Sequence, residues 1–392
     1  MSNELSTYPL PAKATLNDFD LIFSELHGKV SDFFLQPEYP VMVRYRGRLV
    51  SVTNNVISKA SMDALMDEMV SAVRKALILK GQPQGWSHRI RLATASKESN
   101  DLTESAQVLR FRCNAKSVQT GYSNEEFSLV LRPTEEASRD IESLGLPQPL
   151  IEGLFPESGM VLFSGPTGSG KTTTLAACLK SVLYHPDGKV VVTIEDPVEF
   201  NHHALPNKTG YLTHCEVGRN VDSFQLAMRA ALRENPDVLM TGEMRDEESM
   251  LIAIEASQTG HALYSTIHAN SVTSVFVRVA QKLNPDKMEA TLATFIESSR
   301  TFVFQRLFPS ELGGMVAIIE YICLTGNDRI ALTDALKTGG VAAVTRKMND
   351  LMDASGQWYI DSAKEAFNAG KLSESNYNNI VRTYQLDKAT EQ

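Results

Sequence analysis

Gly165-Pro166-Thr167-Gly168-Ser169-Gly170-Lys171-Thr172-Thr173-Thr174 follows directly on the apolar run Met160-Val161-Leu162-Phe163-Ser164. The spacing G-x-x-x-x-G-K-[ST] between a strand and a helix is that of a phosphate-binding loop. Each residue type has a task there. The glycines let the backbone curl so that its amides face phosphate oxygens, Lys171 brings charge to the β- and γ-phosphates, and the Thr172 hydroxyl is a ligand for Mg²⁺. Residues 165–173 are therefore the expected binding residues for ATP with Mg²⁺. The helix-forming run Leu175–Leu183 completes a context that an accidental glycine-rich turn lacks.

Outward from this loop, strand and helix signals alternate as in α/β folds. They run MVLFS, a helix, KVVVTI, a loop, a helix around Ser223–Asn235, DVLMTG, a helix around Glu247–Gln258, and HALYSTIHA. Four of the apolar runs end in reactive side chains. VLFS ends in the phosphate loop, VVVTI in Glu195-Asp196-Pro197-Val198-Glu199, DVLMTG in Glu243-Met244-Arg245-Asp246, and ALYSTI in His268. Open parallel sheets bind ligands at the carboxyl ends of their strands, so these clusters are expected to converge on a bound triphosphate.

Phosphoryl transfer to water needs a carboxylate that orients and polarises the water, and Glu243 is the expected carrier of that role, meeting Mg²⁺ through a water. Gly242 stands where the commoner hydrolase pattern has Asp, so more of the metal's coordination falls to Thr172 and water. The alternative for Glu243 is an acid capping the next helix. Glu195 and Glu199 are further catalytic candidates, set against a solvated acidic loop. If HALYSTIH is one unbroken strand, His261 and His268 lie about 23 Å apart and only one can reach the phosphates. His268 is assigned to the γ-phosphate, and His261 to packing or a subunit contact. The pair His202-His203 has no ligand partner at helical or strand spacing. Upstream, Arg110 and Arg112 share one strand face and Arg132 ends another strand. Arginines that reach a γ-phosphate stabilise its charge, whereas spacing alone favours surface residues kept for solubility.

With 392 residues and 43% apolar content, the chain can fill two or three cores. Its net charge of −9 gives no whole-surface attraction to nucleic acid or acidic lipid. No apolar leader or run of roughly 20 apolar residues is present, so a cytoplasmic protein is expected. Four cysteines without a C-x-x-C pair indicate neither a zinc site nor a disulfide framework. Residues 1–134 read as a small α+β domain. It has a helix over Phe19–Val30, strands in DFFLQ, VMVRYRGRLVSV, HRIRLAT, VLRFRCNA and FSLVLRP, and one amphipathic helix carrying Met62, Leu65, Met66, Met69, Val73 and Leu77. Pro147, Pro149 and Pro156 mark 135–157 as a linker. The nucleotide domain is expected over 158–340 and a helical tail over 341–392.

These segments together resemble the secretion ATPase superfamily, which includes pilus-retraction motors, type II secretion ATPases and type IV secretion ATPases. GPTGSGKTTT resembles its Walker A and TIEDPVEF (193–200) its Asp box. ALRENPDVLMTGEMRDEES (231–249) resembles its Walker B, with the same Gly, and TGHALYSTIHAN (259–270) its His box. KVSDFFLQPEYPVMVRYRGRL (29–49) is similar to the opening of the family's PAS-like domain, except that Phe33-Phe34 replaces the usual histidine after Ser-Asp. The resemblance implies a RecA-like P-loop core behind a PAS-like domain, a homo-hexamer, and nucleotide contacts from Arg112 and Arg132. It also implies attachment to an inner-membrane secretion or conjugation complex. No C-x-x-C module of the type II branch and no AIRAREE-type helix of the retraction motors is found, and the remaining fit is the DotB/TraJ group of type IVB secretion and conjugation ATPases. Competing readings are a pilus-retraction motor, a DNA-translocating or helicase-type ATPase, and a nucleotide-gated docking module.

Overall fold

The computed structural model describes residues 5–45, 47–92, 108–121, 123–134, 138–244 and 246–390. The chain divides into two units, Met1–Ala137 with Asp196–Asn201, and Ser138–Glu195 with His202–Gln392.

The first unit runs α1 (Leu16–Leu26), β1 (Asp32–Leu35), β2 (Met42–Tyr45), β3 (Arg48–Ser51), α2 (Lys59–Met69), α3 (Ala72–Leu79), β4 (Gln84–Arg91), β5 (Val108–Val118) and β6 (Glu126–Thr134). Its strands form one antiparallel sheet in the order β3-β2-β1-β6-β5-β4. Phe19, Phe23, Phe33 and Phe111 fill the core beneath it, with the Phe23 and Phe33 rings edge to face at 5.1 Å. The amphipathic series over 62–77 is two helices rather than one. Val70 leaves the helix with extended dihedrals, and Ser71 restarts it by accepting the Arg74 N–H at 3.4 Å. A serine in mid-pattern favours the cap over continuation, because its hydroxyl competes for the backbone donors. Ala93 and Thr94, which end the expected strand HRIRLAT, lie outside the described residues.

The second unit runs α4 (Gln148–Gly153), β7 (Gly159–Ser164), α5 (Lys171–Leu183), β8 (Val190–Glu195), β9 (Tyr211–Glu216), α6 (Phe224–Ala231), β10 (Val238–Thr241), α7 (Glu247–Gln258) and β11 (Ala262–Ile267). It continues with α8 (Val275–Ala280), α9 (Met288–Ser298), β12 (Ser299–Pro309), β13 (Met315–Cys323), α10 (Gly326–Ser355), α11 (Tyr359–Asn368) and α12 (Glu374–Thr390). Its strands lie in the order β13-β12-β7-β11-β10-β8-β9, parallel throughout except for β13, which returns antiparallel to β12. Period-two alternation divides the core between the two faces. Met160 and Leu162 of β7 join Leu239, Leu263 and Phe302 against α6 to α11, while Val161 and Phe163 join Val191, Met240 and Tyr264 against α4 and α5.

The boundary differs from the one read in the sequence. Residues 138–157, expected within a linker, belong to the second unit, where Ile141, Leu146, Leu150 and Leu154 are buried among β7 and α5 side chains. Pro147 and Pro149 stand at the start of α4, a place where proline costs no helical hydrogen bond. The helical region expected from 341 begins at Gly326. Gly340, at φ 62°, breaks α10 into two rods, and Val344, Met348, Met352 and Tyr359 beyond it complete the same core as Leu332 and Leu336. The β12–β13 pair and β9 were not anticipated.

β8 and β10 are pinned where they start by Asp237. Its carboxylate accepts the Val190 N–H at 2.8 Å and meets Lys189 at 3.2 Å, while its own N–H donates to the Val190 carbonyl. The Val190 N–H, more than Lys189, holds the Asp237 carboxyl below the usual carboxylate range. A lowered carboxyl pKa contributes stability above its unfolded value of 3.8, and that contribution is lost as pH falls through the folded value. Asp237→Asn is accordingly expected to lower Tm at pH 7 and to narrow the gap to wild type below pH 4, as read by thermal unfolding across pH.

Candidate functional site

The phosphate loop leaves β7, which lies between β11 and β12, and re-enters regular structure as α5. Gly165 has φ 138°, and a Cβ there would stand 2.3 Å from the Gln305 carbonyl oxygen, so only glycine fits. Gly170 is left-handed and caps α5, with the Gln305 amide nitrogen close beside it. The buried Gln305 side chain accepts a hydrogen bond from the Thr174 hydroxyl at 3.0 Å. β12 thus backs the loop through main chain and side chain, a role that sequence reasoning missed. Its only signal in the sequence is the β-rich run RTFVFQRLF (300–308). The Lys171 ammonium donates to the carbonyls of Gly165 at 2.8 Å and Pro166 at 2.9 Å, which keeps it folded over the loop. Pro166, Thr167 and Gly168 are exposed at the tip, Ser169 is buried, and Thr172 and Thr173 stand half-buried in the first turn of α5.

The ends of β10 and β11 are sewn together. Thr241 donates to Ser265 at 2.7 Å, the Thr266 hydroxyl to the Gly242 carbonyl at 2.7 Å, and the Met244 N–H to the Thr266 carbonyl at 3.0 Å. These bonds bring Glu243 and His268 together, with Nε2 of His268 3.1 Å from Oε1 of Glu243. The capping role that stood as the alternative for Glu243 is filled by Asp246, which accepts the Ser249 N–H at 2.8 Å at the start of α7. Glu243 is left to the strand end. Arg245 lies outside the described residues. Gly242 is not imposed by crowding, since a Cβ there would meet Glu195 Cα and the Ile194 carbonyl only at 3.9 Å.

Glu195, at the end of β8, is buried and accepts the Thr193 hydroxyl at 2.8 Å, with His214 of β9 at 3.5 Å. A solvated loop does not describe it. Glu199 belongs to the first unit, where it pairs with Arg112 at 2.7 Å, so the two glutamates of one expected cluster fall in different units. Arg132 reaches Asp32 through Nε at 2.9 Å and through a terminal nitrogen at 2.8 Å. Arg110 is buried and Arg112 half-exposed, rather than both lying on one open face. His261 precedes β11 and His268 follows it, at opposite ends of an unbroken strand. The His261 ring lies 2.8 Å from the Thr259 hydroxyl and 3.1 Å from the Ala256 carbonyl, at the end of α7. Cys178 is buried in α5, where burial pushes its thiol pKa far up and makes it a packing group.

A phosphate loop on an interior parallel strand, with a histidine and an acid paired at the ends of the next two strands, β11 and β10, defines a P-loop nucleotide-binding protein. The family model for type II/IV secretion system proteins matches residues 104–311, more than half of the chain. The chain is 30% identical over 331 residues to the type IV pilus retraction ATPase PilT of Pseudomonas aeruginosa, covering 82% of this chain and 88% of that one. Among solved structures it is similar to the ATPase DotB of Legionella pneumophila, with a TM-score of 0.82 and 25% identity, covering 96% of this chain and all of the other. It shares its fold with the pilus retraction motor PilT solved with ADP, at a TM-score of 0.74 and 24% identity, over 93% and 96% of the two chains. The chain belongs to the type II/IV secretion system protein family.

Gln305→Ala removes the nearer acceptor of the Thr174 hydroxyl and leaves it the Gly170 carbonyl at 3.3 Å, a loss of about 1 kcal/mol for the hydrogen bond. It is expected to lower Tm and to weaken binding of a non-hydrolysable ATP analogue, measured by calorimetry. Unchanged affinity at lowered Tm would confine Gln305 to the core.

Proposed function

We propose that this chain is a Mg²⁺-dependent ATPase of a type IV secretion or conjugation system, working as a homo-hexamer in the cytoplasm at an inner-membrane complex. The observation that carries the reading is the Glu243–His268 pair at the ends of β10 and β11, the two strands next in order after the one that bears the phosphate loop. The loop residues fit a triphosphate, because Gly165, Gly168 and Gly170 take the positive φ angles that a tight phosphate-binding turn into the α5 N-terminus requires. Lys171, donating to two loop carbonyls, is the cation available to exchange them for phosphate oxygens. Glu243 accepts the proton of the attacking water, and His268 holds that carboxylate in orientation. Mg²⁺, when bound, neutralises triphosphate charge, with Thr172 as its protein ligand and Glu243 reaching it through water. Arg112 and Arg132 are the proposed stabilisers of γ-phosphate charge, and Glu195 and Glu199 the supporting acids.

The similarity to DotB over nearly the whole chain favours the secretion reading. The 30% identity with PilT favours a second one, pilus retraction, by the same chemistry. Among the described residues no helix is long and apolar enough to cross a membrane, so docking on partner proteins is the proposed route to the complex.

Purified Lys171→Gln is expected to fold and to lose turnover. Glu243→Gln should keep ATP affinity while kcat falls about 100-fold or more, the usual loss for an acid or base group. Affinity that falls with kcat intact would move Glu243 to metal binding and make Glu199 the candidate for the water. His268→Ala should impair hydrolysis directly and His261→Ala only through assembly, as separated by ATPase assays beside size-exclusion chromatography. In Arg112→Ala, Arg132→Ala protein, nucleotide binding should persist while turnover slows, and wild-type turnover there removes both arginines from the chemistry.

A further inference from the structure

Three imidazoles gather where β8 and β9 meet α5. His214 of β9 is in register with Thr193 of β8, and its ring centroid lies 5.7 Å from that of His202 and 5.2 Å from that of His203. His202 ties the group to α5 through Nε2, 2.9 Å from the Ala176 carbonyl. Among the described residues no group of three or more His, Cys, Asp or Glu side chains is arranged to hold a metal ion, so the cluster needs another explanation.

The hydrogen bonds of His214 supply one. The Thr193 hydroxyl donates its single proton to Oε1 of Glu195 at 2.8 Å. Its oxygen is then an acceptor for His214 Nδ1 at 2.6 Å, which places a proton on Nδ1. The same Nδ1 lies 3.5 Å from Oε1 of Glu195. The His214 side chain is only 8% exposed, and its other nitrogen, Nε2, is buried with no hydrogen-bond partner among the described residues. A buried polar atom left unsatisfied costs stability, so an apolar ring would serve packing better. What the imidazole adds here is its Nδ1–H. The end of that relay is a carboxylate whose Cα lies beside Gly242, the residue preceding Glu243.

We propose that His214 is a positioning residue which, through Thr193, fixes the orientation of the Glu195 carboxylate at the strand end next to the one bearing Glu243. The inference rests on the reading of Glu195 as a participant in ATP hydrolysis. It adds to that reading a chain of three residues joined by two hydrogen bonds, in which only Glu195 faces the chemistry.

His214→Phe tests it, since Phe keeps the ring, removes Nδ1–H and relieves the unsatisfied Nε2. The full-length protein is expected to keep or raise its Tm and its KM for ATP should stay, while kcat falls about 10- to 100-fold, the scale of a misplaced reacting group. His214→Asn, whose amide can take the place of Nδ1–H, should restore kcat to within a few-fold of wild type. Thr193→Val should reproduce the kcat loss and Thr193→Ser should not. The His214→Phe, Thr193→Val double variant should be no slower than the slower single one, because both cut the same chain. Wild-type kcat in His214→Phe, or losses that multiply in the double variant, overturns the proposal. Should His214→Phe fail to fold, the Val and Ser variants at 193 decide alone, and equal activity in the two overturns it. Glu195→Gln separates the two levels. Wild-type turnover there removes Glu195 from the reaction and the inference with it, whereas an inactive Glu195→Gln beside fully active His214→Phe and Thr193→Val removes only the positioning role.

Discussion

The main chain of Gly165 passes the carbonyl of Gln305 so closely that no side chain fits between them. Two strands far apart in sequence, β7 and β12, are paired in parallel up to that point, and the loop turns immediately after it. The turn aims the start of α5 back over the sheet, which sets where Lys171 and Thr172 stand. Everything else in the second unit supports the approach. Gln305 is buried because α5 covers it through Thr174, and Ser164 donates to the Val303 carbonyl at 3.1 Å across the same pair of strands. The antiparallel β13 shields the outer edge of β12 from Thr301 to Pro309, leaving a strand that carries a buried polar side chain protected from solvent.

The acids of the nucleotide unit are sorted by what their backbone neighbours demand. Asp246 is spent on a helix cap and Asp237 on a strand junction, both through main-chain N–H groups. Glu243 meets a histidine from the adjacent strand end, and Glu195 meets a hydroxyl and a histidine. Carboxylates bound to main-chain donors hold secondary structure in place, whereas the histidine partners of Glu243 and Glu195 come from neighbouring strands or their ends.

Much of this was legible because it is local. The loop glycines, the apolar runs that become β7, β8, β10 and β11, and the acid or histidine closing each run are contiguous in sequence, and parallel topology alone brings their ends to one side. His261 and His268 could be separated by counting residues along one strand. What escaped was long-range. Gln305 supports a loop some 140 residues earlier, and no pattern within β12 distinguishes its inward polar side chain from an ordinary exposed one. His214 was invisible for the same reason, since its partner Thr193 is reached only through strand pairing. Pro147 and Pro149, which suggest a linker over 135–157, instead begin α4 there. The single helix over 62–77 failed because periodicity carried through Ser71, whose hydroxyl outweighs one turn of apolar spacing.

The chain passes between its two units three times, at 137/138, 195/196 and 201/202. The excursion of residues 196–201 means that neither unit is a contiguous piece of polypeptide. A fragment beginning at Ser138 would carry away Glu199 and leave Arg112 behind, and so keep six residues of the first unit without the rest of it. In genetic terms no single junction divides the two units, because the six residues 196–201 of the first unit are encoded inside the second.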